Sequence, residues 1–273
     1  MQKNTINIVV IILAMILVFT TGCKKNVENI EIPEGAIKGR FSVANGKQVL
    51  FSKGILQYIG SASTPYWKFA DEQWEGWKYY DNQDNPNQNV DRDRFAWGTS
   101  GYCHGAVCYQ PWSNSNNIMD YYAYGCETCG LWEYSGQADW GFNPIVNGGN
   151  TTNLWRTLKV EEVQYMLMYR ETLSSYNWVL GFIEGGWYGG MILFPDDYLL
   201  DTAEFNRFYD NNTMSYHFTA NEWKRWEEDG CVYLPGNMIG WTSNPPSNWV
   251  IGGFVINEPR YSKQVVRLVC PAD

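Results

Sequence analysis

The residues of this chain best placed to do chemistry are two cysteine pairs, Cys103-x4-Cys108 and Cys126-x2-Cys129. Two neighbouring thiolates suit a soft cation such as Cu(I). All four together could close a tetrahedral zinc site, since the spacing between the pairs is compatible with a zinc ribbon. The same four could instead form disulfides. His104 lies within the first pair, and His217 is the only other histidine. No Ser or Cys stands in a recognisable triad motif. Acids such as Asp196, Asp197, Glu227, Glu228 and Asp229 are plentiful, but carboxylates on loops and helix faces are ordinarily solvated. Asp196 and Asp197 face different ways in an extended segment. Residues 81–93 place Asp81, Gln83, Asn85, Asn87, Asn89, Asp91 and Asp93 at alternate positions, an oxygen-rich run that raises calcium. Calcium needs about six to eight converging oxygens, and this run lacks the mid-loop Gly and closing Glu of an EF-hand. A solvated loop is expected there, with no metal and no cofactor.

The first residues decide the redox setting. Lys3 precedes an apolar core from Ile8 to Phe19, and Thr20-Thr21-Gly22-Cys23 follows. The core is too short to span a bilayer and reads as a cleaved export signal, residues 1–22. The pattern resembles a bacterial lipoprotein signal, although Thr20 stands where leucine is usual. That resemblance implies that Cys23 is lipidated and anchors the protein in the outer membrane, with display at the cell surface as the expected orientation. Export also implies an oxidising compartment, which favours disulfides at Cys103, Cys108, Cys126 and Cys129 over metal. Spacing does not choose the connectivity. Cys231 and Cys270 flank strands expected in one core, as a disulfide or as two buried thiols.

Net charge is −9, and loss of Lys3 with the leader makes it −10. Nucleic acid and anionic headgroups would be repelled, so no nucleic-acid partner is expected. The 14 Trp and 19 Tyr set against only 18% charged residues suit either a loop-rich core or a sugar-binding surface. Sugars stack on aromatic faces and are fixed by amide hydrogen bonds. The candidate ligand-binding rings are Trp112, Tyr121, Tyr122, Trp132, Trp187, Tyr188 and Trp249, each of which could equally serve the core.

Residues 23–37 are polar and unpatterned and read as a lipidated cysteine with its tether; 38–273 read as one domain. Short alternating runs follow Gly39, broken by the hairpin dipeptide Asn45-Gly46, and Tyr66 to Phe69 is a further strand. One helix is expected over Val160 to Glu171, with Val163, Met166, Leu167 and Arg170 on one stripe. A second runs from Ala220 to Asp229, capped by Thr219 with Glu222 and ended by Gly230, with Trp223 and Trp226 on one face. Two main helices among short antiparallel strands and long loops predict an α+β domain.

Several stretches carry a resemblance: FSKGILQY (51–58), FAWGTSGY (95–102), YQPWSNSNN (109–117), ADWGFNPIVNGGN (138–150) and WRTLKVEEVQYML (155–167). LFPDDY (193–198), FTANEWKRWEEDGCVYLP (218–235) and VVRLV (265–269) continue it. Together they are similar to exported lipoproteins of Bacteroides-type bacteria related to the Fibrobacter succinogenes major paralogous domain. The resemblance spans roughly residues 38–271 and implies a C-type-lectin-like fold, distantly like the formylglycine-generating enzyme. Lys159 stands where the related helix has its capping Thr, and Val163 where it has Trp. The family implies no agreed activity, so function rests on a site. The expected function is non-catalytic binding or adhesion, with a glycan or surface protein as ligand. The alternative is a copper-dependent oxidase, because Cys103-His104-x3-Cys108-Tyr109 resembles the paired-cysteine Cu(I) site of the formylglycine-generating enzyme, though at a different place in the segment order. The sugar-binding calcium motif of C-type lectins is not matched: Asn257-Glu258-Pro259 has the wrong order, and Asn248-Trp249-Val250 lacks the acidic partner.

Overall fold

In the computed structural model, Asn45-Gly46 joins β1 (Ala36–Ala44) to β2 (Lys47–Ser52) as an antiparallel hairpin. The residues described are 31–82, 85, 87, 89–102, 111–113, 115–117, 120, 129–184, 189–236, 238–244, 247–250, 254–257, 260 and 262–272. The chain separates into Met1–Glu31 and Ile32–Asp273, and the description concerns the second. Among the described residues no helix is long and apolar enough to cross a membrane. β1 starts at Ala36, two residues inside the stretch read as tether. Pairing causes this: Ala36 faces Ser52, and the Lys53 amide donates to the Gly35 carbonyl at 2.8 Å. Alternation buries Ile37, Phe41 and Val43, and Phe41 packs edge-on against Phe51 at 5.1 Å.

Strands β3 (Leu56–Ile59) and β4 (Tyr66–Phe69) form a second hairpin. The largest sheet takes β5 (Trp178–Ile183), β6 (Gly190–Leu193), β7 (Tyr209–Asp210), β8 (Ser215–Phe218) and β9 (Val232–Pro235) in the order β7-β8-β5-β6-β9. Its β5–β8 contact is parallel, which the expectation of antiparallel strands did not include. The chain makes β6 and a short helix before returning, the crossover that a parallel pair requires. A meander of β10 (Met238–Trp241), β11 (Ser247–Val250) and β12 (Phe254–Asn257) follows, and β13 (Val269–Pro271) closes against β2. The fold class is α+β.

The first helix, α1 (Val160–Gln164), buries Val163 and then widens into a π-turn over Tyr165–Tyr169, ending before Glu171. The stripe is buried as its spacing requires: Met166, Leu167 and Arg170 all leave solvent. Arg170 explains the widened turn. Its amide donates to the Tyr165 carbonyl, its Nε to Met166, its Nη2 to Asn177, and its Nη1 pairs with Asp196 at 2.7 Å. Asp196 also accepts from the Ser42 amide, Ser42 Oγ and Gln48 Nε2, joining this helix to the first hairpin. Asp197 points to solvent. After α2 (Thr202–Phe205), α3 (Ala220–Glu228) has its capping box, with Thr219 Oγ1 accepting from the Glu222 amide and Glu222 accepting from Thr219. Trp223 and Trp226 are buried against Phe205, Phe218 and Tyr233. Truncating either to Ala would cost about 3–5 kcal/mol.

One irregular segment matters most for function. Residues 129–159 carry no strand of their own and are held by side-chain bonds. Asp139 caps a 3-10 turn at Trp140–Phe142 by accepting from the Gly141 amide at 2.9 Å. It also accepts from the Thr157 amide at 2.9 Å and Thr157 Oγ1 at 2.5 Å, across 18 residues. Arg156 exchanges two backbone bonds with Val269 on β13, and Trp155 lies edge-on to Phe69. Leu131 and Leu158 are tied to one residue, Ser243, through its carbonyl and its amide. Both ends of the segment are therefore fixed to the core.

Candidate functional site

Those tethers leave a small cavity of about 140 Å³ between Trp132, Asn153, Asp139, Arg156, Thr157 and Lys159. Trp132 is 39% exposed, in contrast to most tryptophans among the described residues, which are buried. Its six-membered ring lies against the backbone of Gly130, and the Lys159 ammonium sits 4.9 Å from a Trp132 ring centroid. Lys159 occupies the N-cap of α1, where its amide donates to Glu162 Oε2 at 2.8 Å. Arg156 makes a two-pronged pair with the same Glu162 carboxylate, at 2.6 and 2.8 Å. Burial pushes the Asp139 carboxyl up, against the three donors that favour its charged form.

The described lining residues offer hydrogen-bonding and stacking groups. Asp139 is saturated by Thr157 and Gly141 and has no second carboxylate facing it among the described lining residues, so no acid–base pair of the glycosidase kind is formed. An exposed indole, a cation beside it and polar groups below suit a polar ring with an apolar face. Trp132 was a candidate from its residue type, and the structure places it at the cavity. Gly130, Asp139, Arg156 and Lys159 were not candidates, although Lys159 in place of a capping Thr was a local signal.

Of the other candidate rings, the described ones, Trp112 and Trp249, do not line this cavity. Trp112 is 1% exposed, and the Arg92 guanidinium lies 3.7 Å from its ring centroid, so it is a core ring with no open stacking face. Trp249 lies on β11, paired with Gly240 and Val255. Tyr121, Tyr122, Trp187 and Tyr188 lie outside the described residues, as do Cys23, Cys103, Cys108 and Cys126. Cys129 is disulfide-bonded, to a partner outside the described residues. Cys231 and Cys270 are free and buried in different core clusters, which resolves their pairing as two separate thiols. Burial pushes the Cys270 thiol up to about 11 and Cys231 further.

The oxygen-rich loop gathers its oxygens around a different cation. Arg92 Nη1 donates to the Asn82 carbonyl, and Nη2 donates to the carbonyls of Asn85 and Asn87 at 2.8 and 2.6 Å. Asp91 instead accepts from Ser61, and Asp93 from the Tyr79 amide. Among the described residues no group of three or more His, Cys, Asp or Glu could hold a metal ion. His217 Nε2 meets Thr213 Oγ1 and Ser215 Oγ at 2.8 and 3.0 Å, and its ring stacks on Phe182. Asp210 bonds Thr213 and Asn212 and does not orient the imidazole, so the triad geometry is absent from this cluster. In comparisons with protein-family models, curated proteins and solved structures, nothing matches this chain.

Proposed function

We propose that this protein is a non-catalytic, lipid-anchored lipoprotein of the outer membrane, displayed at the cell surface, that binds a glycan through the Trp132 cavity. The domain is read as C-type-lectin-like, in the lipoprotein family whose segments it resembles, and the lipid on Cys23 supplies the membrane partner. The exposed Trp132, seated on Gly130 beside Lys159 and a small, mainly apolar cavity with a few polar groups, is the observation that carries the binding reading. Sugars present apolar faces to indoles and hydroxyls to amides and charged groups, and this cavity offers both. A surface protein is the other ligand class, and a glycoprotein would satisfy both descriptions.

The test is a glycan array probed with the full chain in mild detergent, alongside titration against mucin. Binding to a defined group of glycans is the expected result. Silence on the array and on mucin would remove the reading.

A further inference from the structure

We infer that the Trp132 cavity selects a terminal sugar bearing a carboxylate, a uronic or sialic acid residue, over its neutral counterpart; this rests on the glycan-binding reading above. The charges lining the cavity are not equivalent. Arg156 is matched by Glu162 through two short bonds, and Asp139 is enclosed by Thr157 and Gly141. Lys159 is different: among the described residues no carboxylate lies within ion-pair distance of its ammonium. With Asp139 buried and turned to its donors, the Lys159 ammonium is the lining charge left without an opposite charge or an enclosing set of partners.

That charge is also held in place. The Lys159 backbone is fixed by Glu162, the next amide, of Val160, donates to Asn244 Oδ1 at 2.7 Å, and the ammonium rests over the Trp132 ring. A sugar packed on the exposed part of that ring brings its rim substituents to Lys159. A hydroxymethyl group there offers a neutral hydrogen bond, whereas a carboxylate offers a charge-assisted one, roughly twice as strong. Size and field narrow the class further. About 140 Å³ is well below the ~300–1,000 Å³ of a drug-sized pocket, so one ring enters and a chain terminus is favoured over an internal stretch. A net charge of −9 repels polyanions at long range, so a single terminal acid is admitted more readily than a polyuronate or sulfated polymer.

The test uses the full chain in mild detergent with three probes: methyl glucuronide, methyl glucoside and the methyl glycoside of N-acetylneuraminic acid. Saturation-transfer NMR and calorimetry give the affinities. One acidic probe should bind about tenfold tighter than the glucoside, and which one does so separates uronic from sialic acid. Lys159→Gln should bring the acidic probe down to within about twofold of the variant's own affinity for the glucoside, while Lys159→Arg should restore the preference. Equal binding of acidic and neutral probes, or a preference that survives Lys159→Gln with an unchanged melting temperature, overturns the inference and leaves the glycan reading standing. No binding of any probe, with a silent array, overturns both.

Discussion

A β-carbon built on Gly130 would stand 2.2 Å from Cζ3 and 2.3 Å from Cη2 of Trp132. The indole therefore keeps its position because the residue two before it has no side chain. Gly130→Ala should push the ring aside without unfolding the domain, since the opposing atoms belong to an exposed side chain that can rotate. Stability should change by less than about 1 kcal/mol, whereas ligand affinity should fall several-fold. Thermal melts and titration of the variant against an array-positive glycan check the two halves separately.

Arg92 organises its loop with neutral carbonyls and the face of Trp112. Arg92→Ala would leave three half-buried or exposed loop carbonyls without this donor and uncover the buried Trp112 ring, at a cost of about 1–3 kcal/mol. Limited proteolysis should then cut within residues 81–91, and added calcium should not protect the loop. Protection by millimolar calcium would mean that the oxygens serve a metal after all.

The two buried thiols give a pH signature. Burial raises the folded-state Cys270 thiol from the ordinary range near 9 to about 11. The folded state thus keeps a proton that the unfolded state loses, so stability is complete below about pH 9 and declines as pH rises through 11. Urea midpoints at pH 8 and pH 10.5 should differ more for the wild type than for Cys270→Ala. At pH 8 Cys231 and Cys270 should resist thiol reagents in the folded protein and react on unfolding.

Cys23→Ala should abolish labelling by a fatty-acid analogue and release the protein from the membrane fraction without changing its melting temperature. Membrane affinity grows by ~0.8 kcal/mol per buried methylene, so under the proposed lipidation it would reside in the acyl chains and not in the polar tether. Protease shaving of intact cells reports the side on which the domain is displayed. Absence of label on the wild type would contradict the lipid assignment.

Local features of this fold could be read from local sequence. The capping box of Thr219 and Glu222, the Trp223–Trp226 face and the Asn45-Gly46 turn each depend on residues within a few positions of one another. The stripe of Val163, Met166, Leu167 and Arg170 was equally plain. The π-turn beneath it was not, because it follows from Arg170 bonding to Asp196, 26 residues away. The same distance problem hid the cavity. Asp139 and Thr157 are 18 residues apart, and their hydrogen bonds, with the Ser243 link between Leu131 and Leu158, bring Lys159 to Trp132. Residue type alone could not separate Trp132, seated in the open on Gly130, from Trp112, closed beneath Arg92.

The most direct measurement compares the wild type with Trp132→Ala on the same glycan array, followed by titration of the strongest hit. The account predicts a defined set of bound glycans, at least a tenfold loss of affinity in the variant, and an unchanged melting temperature. Tenfold corresponds to about 1.4 kcal/mol, within reach of one lost aromatic stacking contact. Wild-type affinity retained by Trp132→Ala would contradict the assignment of this cavity as the binding site.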